Sequence, residues 1–265
     1  MPHLADSART PSPLLTLIEG RAVLEFAALI ASYPILRTAP RGDGHSVLVL
    51  PGLGASDTST RPLRAFLRDR GYDAHGWNLG RNTGPRKGQR EALGERVAAL
   101  HRQTKRKVSL IGWSLGGIYA REVAKAVPAD VRLVITLGSP FANPSATAVR
   151  RVYEALRGEP MTTDSARLAH LRAPPPVPAT AIFSKSDGVV AWQSCLELDS
   201  PQTENIEVQG SHVGLGVNPA ALYVVADRLA QGEGNWAPFD RSGLRGFVFK
   251  PAQSSTARKH ERDET

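Results

Sequence analysis

The stretch "LIGWSLGGIYA", residues 110–120, decides how this chain folds. An apolar run suited to a buried strand reaches Gly112, Trp113 and Ser114. Leu115 and two glycines then lead into helix-forming residues. A turn from strand to helix this tight strains the backbone of its central residue, and flanking glycines remove the Cβ atoms that would clash. The spacing Gly112-Trp113-Ser114-Leu115-Gly116 is that of a nucleophile elbow, G-x-S-x-G. The serine hydroxyl then projects above the sheet, and the first N–H groups of the helix point at any negative charge developing there. An inert serine in a Gly-rich turn would have the same local composition, so the flanking context decides.

Outward from the elbow, strand and helix patterns alternate. "SVLVL" (46–50), "YDAHGWNL" (72–79), "KVSLIG" (107–112), "VRLVITLG" (131–138), "ATAIFSK" (179–185) and "ENIEVQ" (204–209) read as strands. Helices are expected over 61–71, 89–105, from Ser114 to about 127 before Pro128, and over 218–232. In the last of these Asn218 caps the helix, Pro219 takes its first position and Gly232 follows it. This alternation predicts an α/β fold: a mostly parallel, doubly wound sheet of about six strands, covered on both faces. Residues 141–178 interrupt it with helical fragments and the Pro-rich "RAPPPVP", and are expected to form a small helical cap over the strand ends. Residues 14–32 read as a helix ending before Pro34. Residues 1–13 and the charged tail 251–265 read as disordered, leaving 14–250 as one domain.

A nucleophilic serine needs a base and an acid, and after an elbow the chain order is Ser, then Asp or Glu, then His. "KSDGVV" places Asp187 just past the fifth strand, and "GSHVGLG" places His212 just past the sixth. All three residues therefore sit at carboxyl ends of strands, where open parallel sheets bind ligands. Among the competitors, His45 precedes a strand, His75 lies within one, and His101 and His170 fall in helical stretches among polar neighbours. Glu197 and Asp199 do not directly follow a strand; Asp199 is kept as the alternative acid. An oxyanion hole needs backbone donors. The N–H of Leu115 follows the nucleophile, and the N–H of Leu53 is best placed in the "PGLGAS" loop after the first strand.

The 265-residue chain is 41% hydrophobic, enough for a sizeable core, and carries a formal charge of +8. Its basic residues are scattered, and no zinc-finger or RNA-binding pattern is present, so nucleic acid is not an expected partner. The single cysteine, Cys195, excludes an internal disulfide and fits a reducing, cytoplasmic setting, where it reads as a small buried hydrophobe. The N-terminus lacks a signal-peptide layout. The longest charge-free apolar run near it, 26–36, has 11 residues, too short for the roughly 20 that cross a bilayer. It reads as a helix packed on the body, with weak contact at a membrane surface left open.

The segments "VLVLPGLGAS", "LIGWSLGG", "VITLGSPF", "IFSKSDGVV" and "GSHVGLGVNP" together resemble the α/β-hydrolase superfamily, and within it the compact bacterial triacylglycerol lipases and esterases. The resemblance implies the α/β-hydrolase fold, shortened from eight strands to about six. It implies Ser114 as nucleophile, Asp187 as acid, His212 as base, and Leu53 and Leu115 as oxyanion donors. Three positions depart from the lipase pattern: Trp113 where many have His, Pro51-Gly52 for His-Gly, and Ser139-Pro140-Phe141 for Ser-Pro-His. These leave the catalytic groups intact and weigh against long-chain triglyceride as substrate. The expected activity is hydrolysis of a hydrophobic acyl ester through an acyl-enzyme, with no metal or organic cofactor. Trp113, Phe141 and Leu215, with Leu53, are expected to line the acyl pocket. An acyltransferase or thioesterase with the same triad, and a non-catalytic binding protein of this fold, are the alternatives.

Overall fold

The computed structural model describes residues 4–158, 160–243 and 245–249. Among these, six strands form one parallel sheet: β1 Ser46–Leu50, β2 Asp73–Gly76, β3 Val108–Trp113, β4 Val131–Leu137, β5 Ala179–Phe183 and β6 Thr203–Glu207. Their order is β2-β1-β3-β4-β5-β6. β1, β4 and β5 are buried along their whole length and β3 along all but its last residue, as runs of apolar residues require when both faces are covered. The edge strands β2 and β6 are richer in polar residues and less fully buried.

The helices are α1 Pro13–Leu17, α2 Ala22–Leu36, α3 Arg61–Asp69, α4 Gln89–Thr104, α5 Leu115–Ala126, α6 Arg150–Arg157, α7 Ser165–Arg172, α8 Pro219–Leu229 and α9 Arg245–Val248. Alternation along a strand divides the core. Val47 and Val49 face α3 and α8, meeting Leu63, Phe66, Leu222 and Val225. Leu48 and Leu50 face the other way, toward Val97 of α4 and Val123 of α5. Truncating a leucine of either layer to alanine should cost about 2–5 kcal/mol. Asn218 caps α8 as expected, accepting from Ala220 N at 3.0 Å and Ala221 N at 3.2 Å.

The strand order reverses at β1, so the carboxyl ends of β1 and β3 diverge and open the crevice where ligands bind in such sheets. The Leu53 loop follows β1 and the Ser114 turn follows β3.

The N-terminal region departs from expectation in two ways. First, residues 4–13 are not loose: Leu4–Ser7 form a 3-10 turn, and Ala5 is buried with Phe141 and Leu171. Asn143 Nδ2 donates to Ala5 O at 3.0 Å, and Arg172 pairs with Asp6 at 2.6 Å. Second, the predicted helix over 14–32 breaks at a 3-10 turn, Ile18–Arg21, and resumes as α2, which runs through Pro34 to Leu36. Pro34 removes the bond to the Ile30 carbonyl, but it lies in the last turn on an exposed face, while buried Leu36 anchors the end.

α2 is inverted. Glu25 faces the body, whereas Val23, Leu24, Ile30 and Ile35 are each at least 65% exposed. No helix among the described residues is long and apolar enough to cross a membrane. The expected tail, 251–265, lies outside the described residues.

Candidate active site

Ser114 stands at the end of β3 with φ 54° and ψ −123°, a left-handed conformation that costs a non-glycine residue about 1–3 kcal/mol. The surrounding glycines make the turn sterically feasible. A Cβ on Gly112 would overlap Gly117, and one on Gly116 would overlap the Leu50 carbonyl. Ser114 N donates to Leu137 O at 2.8 Å, fixing the elbow against β4. α5 begins at Leu115, so the Leu115 N–H has no acceptor within its own helix.

The loop after β1 lies directly against the elbow: a Cβ on Gly52 would be 3.1 Å from Ser114 Cβ and 3.8 Å from its Oγ. Asn82, fully buried, braces this loop. Its Nδ2 donates to Pro51 O at 2.8 Å, its N–H to Ala55 O at 2.8 Å, and its carbonyl accepts from Gly54 N at 2.6 Å. Sequence reasoning passed over Asn82, because only the folded chain brings it to the loop.

Asp187 and His212 meet across the ends of β5 and β6. Asp187 Oδ2 accepts from His212 Nδ1 at 2.6 Å, while Oδ1 accepts from Val189 N and Val190 N, each at 2.8 Å. Both side chains are buried. Burial alone would lower the His212 pKa. The Asp187 charge, its hydrogen bond and the charge of Glu19 outweigh it, so the net shift is upward. With Asp187 holding Nδ1–H, Nε2 remains the basic nitrogen.

The pair is seated next to the elbow. A Cβ on Gly138, the neighbour of Leu137, would be 3.1 Å from His212 Nδ1 and 3.2 Å from Asp187 Oδ2. Trp113 Nε1 donates to His212 O at 3.1 Å. Among the described residues Ser114 and His212 form no direct hydrogen bond; His212 bonds Asp187 instead. The alternative acid fails on position: Asp199 is exposed, and neighbouring Glu197 is buried against Arg121.

A cavity of about 840 Å³ opens beside the elbow, lined by Leu53, Ser114 and Leu115. α6 and α7 of the 141–178 excursion supply Tyr153 and Leu171 to its wall, and the loop leading into α4 supplies Arg86 and Lys87. That second wall carries no recognisable motif. Asp187 and His212 are not part of the wall.

Three expected pocket residues lie elsewhere. Phe141 is fully buried below the site, under the Arg121 guanidinium at 3.8 Å. Leu215 is fully buried behind Gly138. Trp113 packs on Gly216 and holds the His212 loop. Phe141 and Leu215 follow strands in motifs and Trp113 ends one, but Phe141 and Leu215 point into the core and Trp113 turns toward the His212 loop rather than the crevice.

Among the described residues the other histidines pair away from the elbow: His45 with Asp43, His75 with Asp73, His101 with Asp130 and His170 with Glu122. Cys195 is buried and its thiol pKa is pushed up by burial. Among the described residues no group of three or more His, Cys, Asp or Glu could hold a metal ion.

A family model described as the alpha/beta hydrolase family matches residues 47–254. No curated protein sequence matches the chain. Among solved structures, Aspergillus fumigatus lipase B has a TM-score of 0.58 at 18% identity, covering 73% of this chain and 54% of its own. The chain thus spans about half the length of that lipase. The mature form of Bacillus licheniformis lipase BlEst2 has a TM-score of 0.51 at 15% identity, covering 71% of this chain and 92% of its own. TT1662 from Thermus thermophilus has a TM-score of 0.51 at 18% identity, with coverages of 71% and 88%. At these identities the likeness is one of fold.

Proposed function

The chain belongs to the alpha/beta hydrolase family, and on that premise we propose that it cleaves carboxylic esters through Ser114, His212 and Asp187. In this reading His212 Nε2 takes the Ser114 proton as Oγ attacks the acyl carbon. The new C–O bond pushes the carbonyl electrons onto oxygen, and the Leu53 and Leu115 N–H groups receive that oxyanion. Collapse expels the alcohol, which takes its proton from His212. Water, deprotonated by His212, then releases the acid and restores Ser114. Asp187 keeps the imidazole in the useful tautomer and offsets its positive charge.

The observation that carries this reading is the strained Ser114 elbow beside a buried Asp187–His212 pair. Lipase folds among the similar structures agree with it. The acyl chain is assigned to the cavity between Leu53, Tyr153 and Leu171. The test is turnover of nitrophenyl esters of increasing chain length. Hydrolysis lost in Ser114→Ala supports the reading, and an equally active variant removes it.

The outward apolar face of α2 favours shallow contact with an anionic lipid surface. It is flanked by exposed Arg37 and Arg61 on a chain of net charge +8.

A further inference from the structure

The inner side of the N-terminal segment meets both loops that carry the candidate acid and base. We propose that Glu19 is a positioning residue whose single carboxylate ties the Asp187 loop to the His212 loop, a role that rests on the triad reading above.

Glu19 is buried, and its two oxygens accept three backbone N–H groups. Oε1 takes Gly188 N at 2.7 Å and His212 N at 2.9 Å; Oε2 takes Val213 N at 2.9 Å. One oxygen therefore bridges the residue after the acid and the base itself. Three charge-assisted hydrogen bonds offset the cost of taking a carboxylate out of water. These partners are 169 to 194 residues from Glu19 in sequence, so the bonds do not cap a local turn.

The surrounding contacts repeat the pattern. Thr16 Oγ1 donates to Gly188 O at 2.7 Å, and Arg21 donates to the carbonyls of Ser186 and Gly210, one from each loop. Glu25 accepts from Ser211 N at 2.6 Å. The loops have glycine where the segment crosses them. A Cβ on Gly188 would overlap the Leu15 carbonyl, and one on Gly214 would overlap the Glu25 carboxylate. The break in the N-terminal helix at Ile18–Arg21 is the place where Glu19 turns inward.

Glu19 also acts on His212 through charge. The imidazole is faced by Asp187 from the loop after β5 and Glu19 from the N-terminal segment, while Glu25 and Arg21 bond the backbone beside it. Negative charge at Glu19 favours the imidazolium. Glu19→Gln removes that charge and turns an acceptor at Val213 N into a donor. The neutral imidazole then persists to lower pH, and the imidazolium formed during attack loses support.

The experiment is an NMR titration of the His212 imidazole in the full chain and in Glu19→Gln, beside fluorophosphonate labelling rates across pH. The expected result is a lower His212 pKa in the variant, an acid limb moved to lower pH, and a plateau rate reduced roughly tenfold, the worth of one charge-assisted hydrogen bond. A folded variant with an unchanged His212 titration overturns the proposal, even if its melting temperature or labelling falls. Should the variant fail to fold, amide exchange in the unaltered protein decides. Joint slow exchange at Gly188, His212 and Val213 supports the tie, and fast exchange at these amides overturns it. Absence of labelling in the unaltered protein would defeat the triad reading alone, because the imidazole titration needs no turnover.

Discussion

Asp187 Oδ2 and His212 Nδ1 lie 2.6 Å apart, both buried, on loops that leave neighbouring parallel strands. The register Phe183↔Glu207 brings the two strand ends level, so Asp187, four residues on, and His212, five residues on, can face each other. Asp187→Asn keeps the shape but reverses hydrogen-bond polarity, favouring the wrong imidazole tautomer. The expected loss is about 10⁴-fold in kcat with the fold retained. Asp199→Asn, on an exposed side chain, should leave kcat near that of the unaltered protein. Ester turnover beside circular dichroism checks both.

The raised His212 pKa gives two opposite pH trends. The base must be neutral, so activity should fall as pH drops through a midpoint above the ordinary value of 6.5. For folding, a pKa raised above that of the unfolded chain stabilises the protein fully below the unfolded value, and that increment is lost as pH rises through the folded one. Between the two values activity should climb while this group's contribution to stability declines. Rate profiles with a non-ionising ester and chemical unfolding at matched pH measure the two trends.

Asn82 should matter to the oxyanion loop although it lies outside the elbow. Asn82→Ala leaves the buried Pro51 carbonyl without its 2.8 Å partner, at a cost of about 1–3 kcal/mol. If the loop then moves the Leu53 N–H, kcat should fall by up to the 10²- to 10³-fold that one oxyanion donor is worth, with KM changed less. Steady-state kinetics with a fixed ester gives the split.

The six strands and their order of chemistry were legible because each central strand is a continuous apolar run ending at a glycine or polar motif. The placement of Ser114, Asp187 and His212 after strand ends was legible because each lies in a short polar or glycine-flanked motif directly following an apolar run. Side-chain direction was not legible. Phe141 and Leu215 follow strands in the right motifs, yet rotate into the core, and Trp113 turns to bond the His212 carbonyl. Asn82 and Glu19 were missed for another reason: their partners are distant in sequence, and neither sits in a patterned motif. Pro34 misled because a proline in an exposed last turn breaks less than one in a helix centre.

The outward face of α2 can be tested without touching the site. Leu24→Glu and Ile30→Glu change side chains that are 71% and 65% exposed, so folding stability should move by less than about 0.5 kcal/mol. Flotation with vesicles containing anionic lipid should show the unaltered protein bound and the double variant released. Equal flotation of both would separate this face from any lipid contact.

The most direct measurement of the central claim is the intact mass of the protein after treatment with a fluorophosphonate. The elbow at Ser114, activated by His212, predicts one covalent adduct on the unaltered chain and none on Ser114→Ala. Equal labelling of the variant, or an unaltered folded protein that stays unlabelled at a pH above the His212 midpoint, would contradict Ser114 as the nucleophile.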